Sequence, residues 1–228
     1  MKKLIAVLIV LTSCYTLTAG EITVKRVKGT AEVRHGVSEA WAKLNVGVSL
    51  GPESTIKTGK NSSLTILVED RKVIISERTM MDLADLREMS QEELLLKLAE
   101  ADVRVAPSRD GSDETPIPNT TVVHGRNMAV PEITTSNQND IREMEVRGTK
   151  LLYSYGFFPT CILKAKQTML YYPDLKSRFE FRSMIGQALE KMGLTGEALG
   201  EYISITKEKL SPPQRKTVEG NIRRLKQG

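Results

Sequence analysis

The sequence predicts an α+β protein of more than one domain, with an antiparallel β sandwich or roll in its N-terminal half followed by α-helical hairpins. Three observations carry this prediction. Short alternating runs rich in β-branched residues, separated by turn residues, fill the stretch from about residue 22 to residue 86. Beyond residue 141 the apolar spacing changes from a period of two to one of about 3.6. Glycines and prolines then punctuate the helical part at matching intervals. With 228 residues and 40% hydrophobic content, the chain is long enough for one or two modest cores.

The first twenty residues run Met1-Lys2-Lys3, an apolar block from Leu4 to Leu11, then small and hydroxyl residues to Gly20. That charged, apolar, polar order is the pattern of a secretory signal. The block is far shorter than the roughly 20 residues a membrane span needs. Residues 1–20 are therefore read as a signal peptide, and the chain as exported to the periplasm or the outer membrane, lipid-anchored or soluble. Two cleavage positions stay open. Leu11-Thr12-Ser13-Cys14 is similar to the lipobox of bacterial lipoproteins, which makes Cys14 a candidate lipid anchor, while Thr18-Ala19-Gly20 is a competing small-residue site. Either way Cys161 has no partner in the mature chain, since Cys14 is removed or lipidated, so no intramolecular disulfide is expected. No later segment has the apolar length of a span, so contact with a membrane is expected only through an anchor at Cys14.

The formal charge is +5, but Lys2 and Lys3 belong to the signal and the remaining charges of both signs are interspersed. This is a solvated surface rather than a nucleic-acid footprint, and no nucleic-acid partner is expected.

Ala31-Glu32-Val33, Leu64-Thr65-Ile66-Leu67-Val68 and Val73-Ile74-Ile75 read as half-buried strands. Lys28-Gly29, Gly51-Pro52, Thr58-Gly59-Lys60-Asn61 and Glu69-Asp70-Arg71 read as the turns between them. The glycines are expected at positive φ, and Trp41, the chain's single tryptophan, as the buried anchor of a small β core. Thr58-Gly59-Lys60 is not a phosphate loop, because Ser54 stands where the preceding Gly is needed and Asn61 where Ser or Thr is needed. The run from Asp85 to Ala101, with Glu92, Glu93, Leu94 to Leu96 and Leu98, fits either a turn of helix or the lead-in to a strand ending at Val105. Pro107 to Asn119 is a loop whose acidic cluster, Asp110, Asp113 and Glu114, fails the spacing of a calcium loop.

Several of these segments carry a resemblance. Val27-Lys28-Gly29-Thr30-Ala31-Glu32-Val33, Trp41-Ala42-Lys43-Leu44, Gly47-Val48-Ser49-Leu50, Ile56-Lys57-Thr58-Gly59, Ser62-Ser63-Leu64, Glu69-Asp70 and Thr79 resemble, in this order, the FecR domain. A weaker second part follows in Leu94 to Val105, and Thr115-Pro116 through Val123-His124-Gly125 is similar to that family's closing strand. Arg71 stands where the family usually has Gly after the Asp, and Ala101 stands before Asp102 where Gly is commoner. The resemblance implies a FecR-like β domain over residues 21–133 and association with envelope proteins or signalling at the envelope. The sigma-factor regulation of the family's namesake, which needs a spanning helix, is not carried over.

A composition shift over residues 134–140 reads as a linker to a second domain at 141–228. Ile141, Met144, Gly148, Leu151 and Tyr155 fall on one helical face, Gly156 ends that helix, and Pro159 opens the next, whose stripe is Ile162, Ala165, Met169 and Tyr172. Phe181, Ile185, Ala188 and Met192 before Gly193, then Ala198, Tyr202 and Ile205 before Ser211-Pro212, repeat the plan. Gly156 and Gly193 are 37 residues apart, and each is followed five residues later by a small residue, Cys161 or Ala198. The period is near the 34 residues of the tetratricopeptide repeat. Gly186, Gly193, Ala198, Tyr202 and Pro212 resemble that motif's small, aromatic and proline positions, with Val218, Ile222 and Leu225 on a closing helix. The resemblance implies a concave face on which Lys150, Tyr153, Gln187, Glu190 and Lys191 are candidate partner contacts. Cys161, where the motif has Ala, is read as a packing residue.

The ingredients of a reaction are few. His35 and His124 are the only histidines, one closing an alternating strand and the other preceding a glycine, and no cluster has metal-ligand spacing. Asp82, Asp85 and Glu88 are carboxylates that spacing alone does not select for acid–base work. No catalytic residue, cofactor or metal is assigned. The expected function is an exported, non-catalytic envelope binding or scaffold protein that works through protein–protein contact with other envelope proteins. The alternative is a module that binds carbohydrate, such as peptidoglycan or another polysaccharide, for which 5% aromatic residues is a thin supply.

Overall fold

Alternation of apolar and polar side chains gives the N-terminal half its strands. The computed structural model describes residues 22–105 and 135–227, and the side chains of 22–100 and 138–227. Cys14, the acidic cluster at Asp110, Asp113 and Glu114, and His124 lie outside the described residues. Among the described residues are eight strands: β1 (Ile22–Lys28), β2 (Ala31–His35), β3 (Ala42–Lys43), β4 (Ser49–Leu50), β5 (Ser54–Thr58), β6 (Ser63–Val68), β7 (Arg71–Ile75) and β8 (Met80–Asp82). They form two antiparallel four-stranded sheets, ordered β4-β1-β6-β7 and β3-β2-β5-β8. In β6 the period is plain, since Leu64, Ile66 and Val68 are buried while Ser63, Thr65 and Leu67 are half-buried.

The turns follow from local chemistry. Gly29, at φ 74°, carries the chain from β1 in one sheet to β2 in the other. Glu69 and Asp70 join β6 to β7 at φ 44° and 64°, with Val68 opposite Arg71. Two positive-φ residues are what a tight hairpin between right-twisted strands requires, so this turn is complete before Arg71, where no glycine is needed. The expectation for Gly51 and Gly59 fails, because neither adopts positive φ; in the Thr58–Asn61 turn the left-handed residue is Asn61, at φ 54°.

Trp41 is not in the core. It sits half-buried on the outer side of the second sheet, with Lys57 Nζ 4.1 Å and Arg34 Cζ 5.2 Å from its ring centroid. The cause is strand parity. Val33 and Ile56 face inward, so Arg34 and Lys57 face outward, and their aliphatic stems and cationic heads hold the ring against them. The sandwich is filled by aliphatic side chains instead, with Val24, Ile56, Leu64, Ile66, Val73 and Ile75 fully buried.

The run after Asp85 is helical: α1 spans Gln91–Val105. Ser90 Oγ accepts a hydrogen bond from the Glu93 amide at 3.1 Å, the N-cap contact of a Ser-x-x-Glu start. Next come α2 (Thr135–Ser154), which begins inside the stretch read as a linker, α3 (Phe158–Tyr171), α4 (Phe179–Lys191), α5 (Thr195–Ile205) and α6 (Pro212–Gln227). The 37-residue interval is a repeat of backbone geometry. Gly156 and Gly193 stand at φ 82° and 75°. Their amides donate to Tyr153 O and Glu190 O at 3.1 and 2.9 Å, and the following amides of Phe157 and Leu194 donate to Leu152 O and Leu189 O, each at 3.0 Å. This pair of bonds satisfies the last carbonyls of a helix and reverses the chain. Cys161 and Ala198 are both fully buried at the start of the returning helices.

The sheets and helices share one buried cluster. It runs through Met81, Leu83, Leu86 and Leu94 to Leu151, Leu152 and Phe157, and on to Val218. At Gly148 the backbone of α2 lies against β8 so closely that a Cβ would run into Met80 O.

Candidate functional site

The candidate partner residues come together in part. Tyr153 Oη donates to Gln187 Oε1 at 3.2 Å, linking α2 to α4, and the Tyr153 ring meets Phe158 edge-on at 5.5 Å. Glu190, one turn beyond Gln187, accepts from Tyr202 Oη at 2.7 Å and pairs with Arg224 at 2.6 Å. Its carboxylate is thus engaged in tying α4 to α5 and α6. Lys191 is exposed beyond this network. Lys150 is exposed on α2 and faces a different neighbour, strand β7.

A second cluster joins the sheet to the first hairpin. Lys164 Nζ, on α3, donates to Asp82 Oδ2 at 2.6 Å and lies 3.6 Å from Asp85 Oδ2. Thr55 Oγ1 donates to Asp82 Oδ1 at 2.7 Å and accepts from Arg34 Nη2 at 3.4 Å. Burial pushes the Asp85 carboxyl up to about 6 against the pull of Lys164. Its Oδ2 is buried without a hydrogen bond, although the side chain as a whole keeps 23% exposure. Burial acts on Asp82 in the same direction, but the Lys164 charge and the bonds from Lys164 and Thr55 carry it below the usual carboxylate range. Burial would lower Lys164, and the two aspartates more than reverse this. Two carboxyls driven apart in acidity can also form an acid–base pair. Here both are turned to the ammonium of one lysine whose side chain is 14% exposed, and the arrangement clamps α3 to β8. Glu88 lies outside it, paired with Arg71 at 2.7 Å.

His35 Nδ1 is 3.0 Å from Ser54 Oγ at the exposed end of β2. Burial pushes the Cys161 thiol up to about 12, which leaves it a neutral packing group. Among the described residues, no three His, Cys, Asp or Glu side chains gather as a metal site. No helix among them is long and apolar enough to cross a membrane.

Between β7 and α2 lies an open groove of about 400 Å³, floored by Ile74, Ser76, Leu151 and Tyr155 and walled by Arg147 and Lys150. Arg71 fixes one end of it, donating to Tyr155 O at 2.6 Å and lying 4.6 Å over the Phe157 ring. Tyr155 Oη accepts the Ile74 amide at 2.7 Å. Of these groups the sequence marks Lys150 as a candidate contact, Leu151 and Tyr155 on a helical face, and Ile74 in a strand. Arg147, three residues before Lys150 on the polar side of α2, is a functional residue the sequence reading missed, and its spacing from Lys150 is the signal that could have found it. Lys164 had none, because its partners Asp82 and Asp85 lie about 80 residues away.

No protein-family model, curated protein or solved structure matches the chain.

Proposed function

We propose that this chain is an exported, non-catalytic envelope protein that binds other envelope proteins and holds them in a fixed arrangement. The observation that carries this reading is the joint. A common buried cluster and the Lys164 clamp set the sandwich and the helical hairpins in one orientation, so surfaces on both can be presented together. A FecR-like β domain and tetratricopeptide-like hairpins belong to the proposal. Two sheets with tight turns at Gly29 and Glu69-Asp70 support the first. The repeated helix ending and the approach of Gly186 to Tyr202, where a Cβ would lie 2.7 Å from the ring, support the second.

Export rests on the order of charged, apolar and polar residues over 1–20. A mass spectrum of the mature protein distinguishes an acylated Cys14 from a chain starting at Glu21. Crosslinking in intact cells is expected to recover a protein partner, with reduced yield after charge reversal at Lys150 and Lys191. Recovery of no partner, with those variants behaving as wild type, sinks the scaffold reading.

Trp41 supports a second reading. Half-exposed and flanked by Arg34 and Lys57, it offers a sugar ring an apolar platform with polar neighbours. Retention on purified sacculi in high salt, lost in Trp41→Ala, is the outcome that favours it.

A further inference from the structure

Resting on the binding-module reading, we propose that the groove between β7 and α2 takes an extended, acidic segment of a partner protein, which adds to the first sheet as a strand beside β7.

Among the described strands, the sheet order leaves β7 at an edge. Its Ile74 amide donates to Tyr155 Oη rather than to β6. In an antiparallel ladder the amide and carbonyl of a residue point the same way and alternate along the strand. Lys72 and Ile74 therefore both turn their backbone polar groups away from β6, and Ile74 lies in the groove. An edge of this kind is a template for another extended chain. Tyr155 occupies it with one hydroxyl, which an incoming backbone carbonyl can replace at little net change in hydrogen bonding.

Side chains set the chemistry of the occupant. Ile74 is 48% exposed between the buried Val73 and Ile75, and offers one apolar seat beside Leu151. Arg147 and Lys150 stand along the α2 wall, exposed, and neither forms an ion pair among the described residues. Among the described residues, no carboxylate lines the groove. Glu143, whose carboxylate senses Lys150, is already bound to Arg178 at 2.9 Å. An aliphatic seat, a backbone edge and two exposed cations with no ion pair among the described residues together select a strand that alternates acidic and aliphatic residues.

The test uses the full chain and a fluorescein-labelled heptapeptide alternating glutamate and valine. Binding is expected to slow hydrogen exchange at the Lys72 and Ile74 amides. Replacing the peptide's glutamates by lysines, or combining Arg147→Glu with Lys150→Glu, is expected to weaken binding by about tenfold or more. Tyr155→Phe, which frees the Ile74 amide, is expected to tighten it severalfold. Circular dichroism of each variant confirms that the fold is kept. Equal affinity for the lysine peptide, unchanged affinity in the double variant, or unchanged exchange at Lys72 and Ile74 overturns the proposal. Self-association that protects the same amides without peptide gives the groove to a second copy and also overturns it. The two readings fail separately. A crosslinked partner insensitive to the double variant removes the groove and leaves the scaffold, whereas peptide binding without any cellular partner does the reverse.

Discussion

Hairpins α2–α3 and α4–α5 end their first helices with the same pair of hydrogen bonds, at Gly156 and Gly193, yet they use their close-packing faces differently. In the second hairpin Gly186 lies under the fully buried ring of Tyr202, and Arg182 binds Glu201 and Ser204 Oγ, each at 2.7 Å. The positions 37 residues earlier hold Thr149 and Ala165, a methyl group where the ring would be. There the glycine has moved by one residue, to Gly148. One residue turns a helical side chain by about 100°, so the close-approach face of α2 points at Met80 of β8 instead of at its own partner helix. Lys164 and its aspartates complete that seat. A single-residue shift of a glycine separates a hairpin that packs on itself from one that docks on a sheet.

The comparison breaks most visibly at Tyr202. Tyr202→Ala is expected to cost about 4 kcal/mol in urea unfolding, while Ala165→Gly, its counterpart, is expected to cost about 1 kcal/mol. Equal losses would mean that the two hairpins are packed alike. Next comes Gly148→Ala, which gains about 1 kcal/mol of helix propensity but forces a Cβ onto a backbone carbonyl, for a net loss of about 2 kcal/mol. Faster hydrogen exchange in β8 is the accompanying sign. In Gly200→Ala, where a Cβ meets nothing within 4 Å, the same change should stabilise by about 0.5–1 kcal/mol.

A further effect is the pH dependence of the seat. Asp85 is raised from 3.8 to about 6 in the folded chain. Between those values the unfolded chain has released its proton and the folded chain keeps it, so this group's contribution to stability falls as pH rises and levels off above about 6. Asp85→Asn removes that slope. Relative to the variant, the wild type should lose about 2 kcal/mol between pH 4 and pH 7. A constant difference across that range would show that Asp85 does not titrate there.

What could be read in the sequence was whatever lies close along the chain. The repeat was legible because Gly156 and Gly193 each end a helix locally, and the β6–β7 turn because Glu69-Asp70 interrupts two alternating runs. Helix α1 carried its own signal in Ser90-x-x-Glu93, beside a leucine run too short to assign by period alone. Trp41 was misplaced because size argues for burial, while the parity of Arg34 and Lys57, which decides its side of the sheet, was already present in the strands. The Lys164 clamp, the Arg71 contact with Tyr155 and the groove join residues about 80 apart. No local periodicity encodes such pairings, and they emerge only when sheet and helices meet.

The position of Trp41 has a practical consequence for optical measurements. Because the chain's sole tryptophan lies half-exposed with two cations against its ring, its emission reports the outer side of the second sheet rather than the buried interior. Loss of the sheet–helix joint can therefore leave the fluorescence nearly unchanged, while a ligand settling on that outer side would alter it at once.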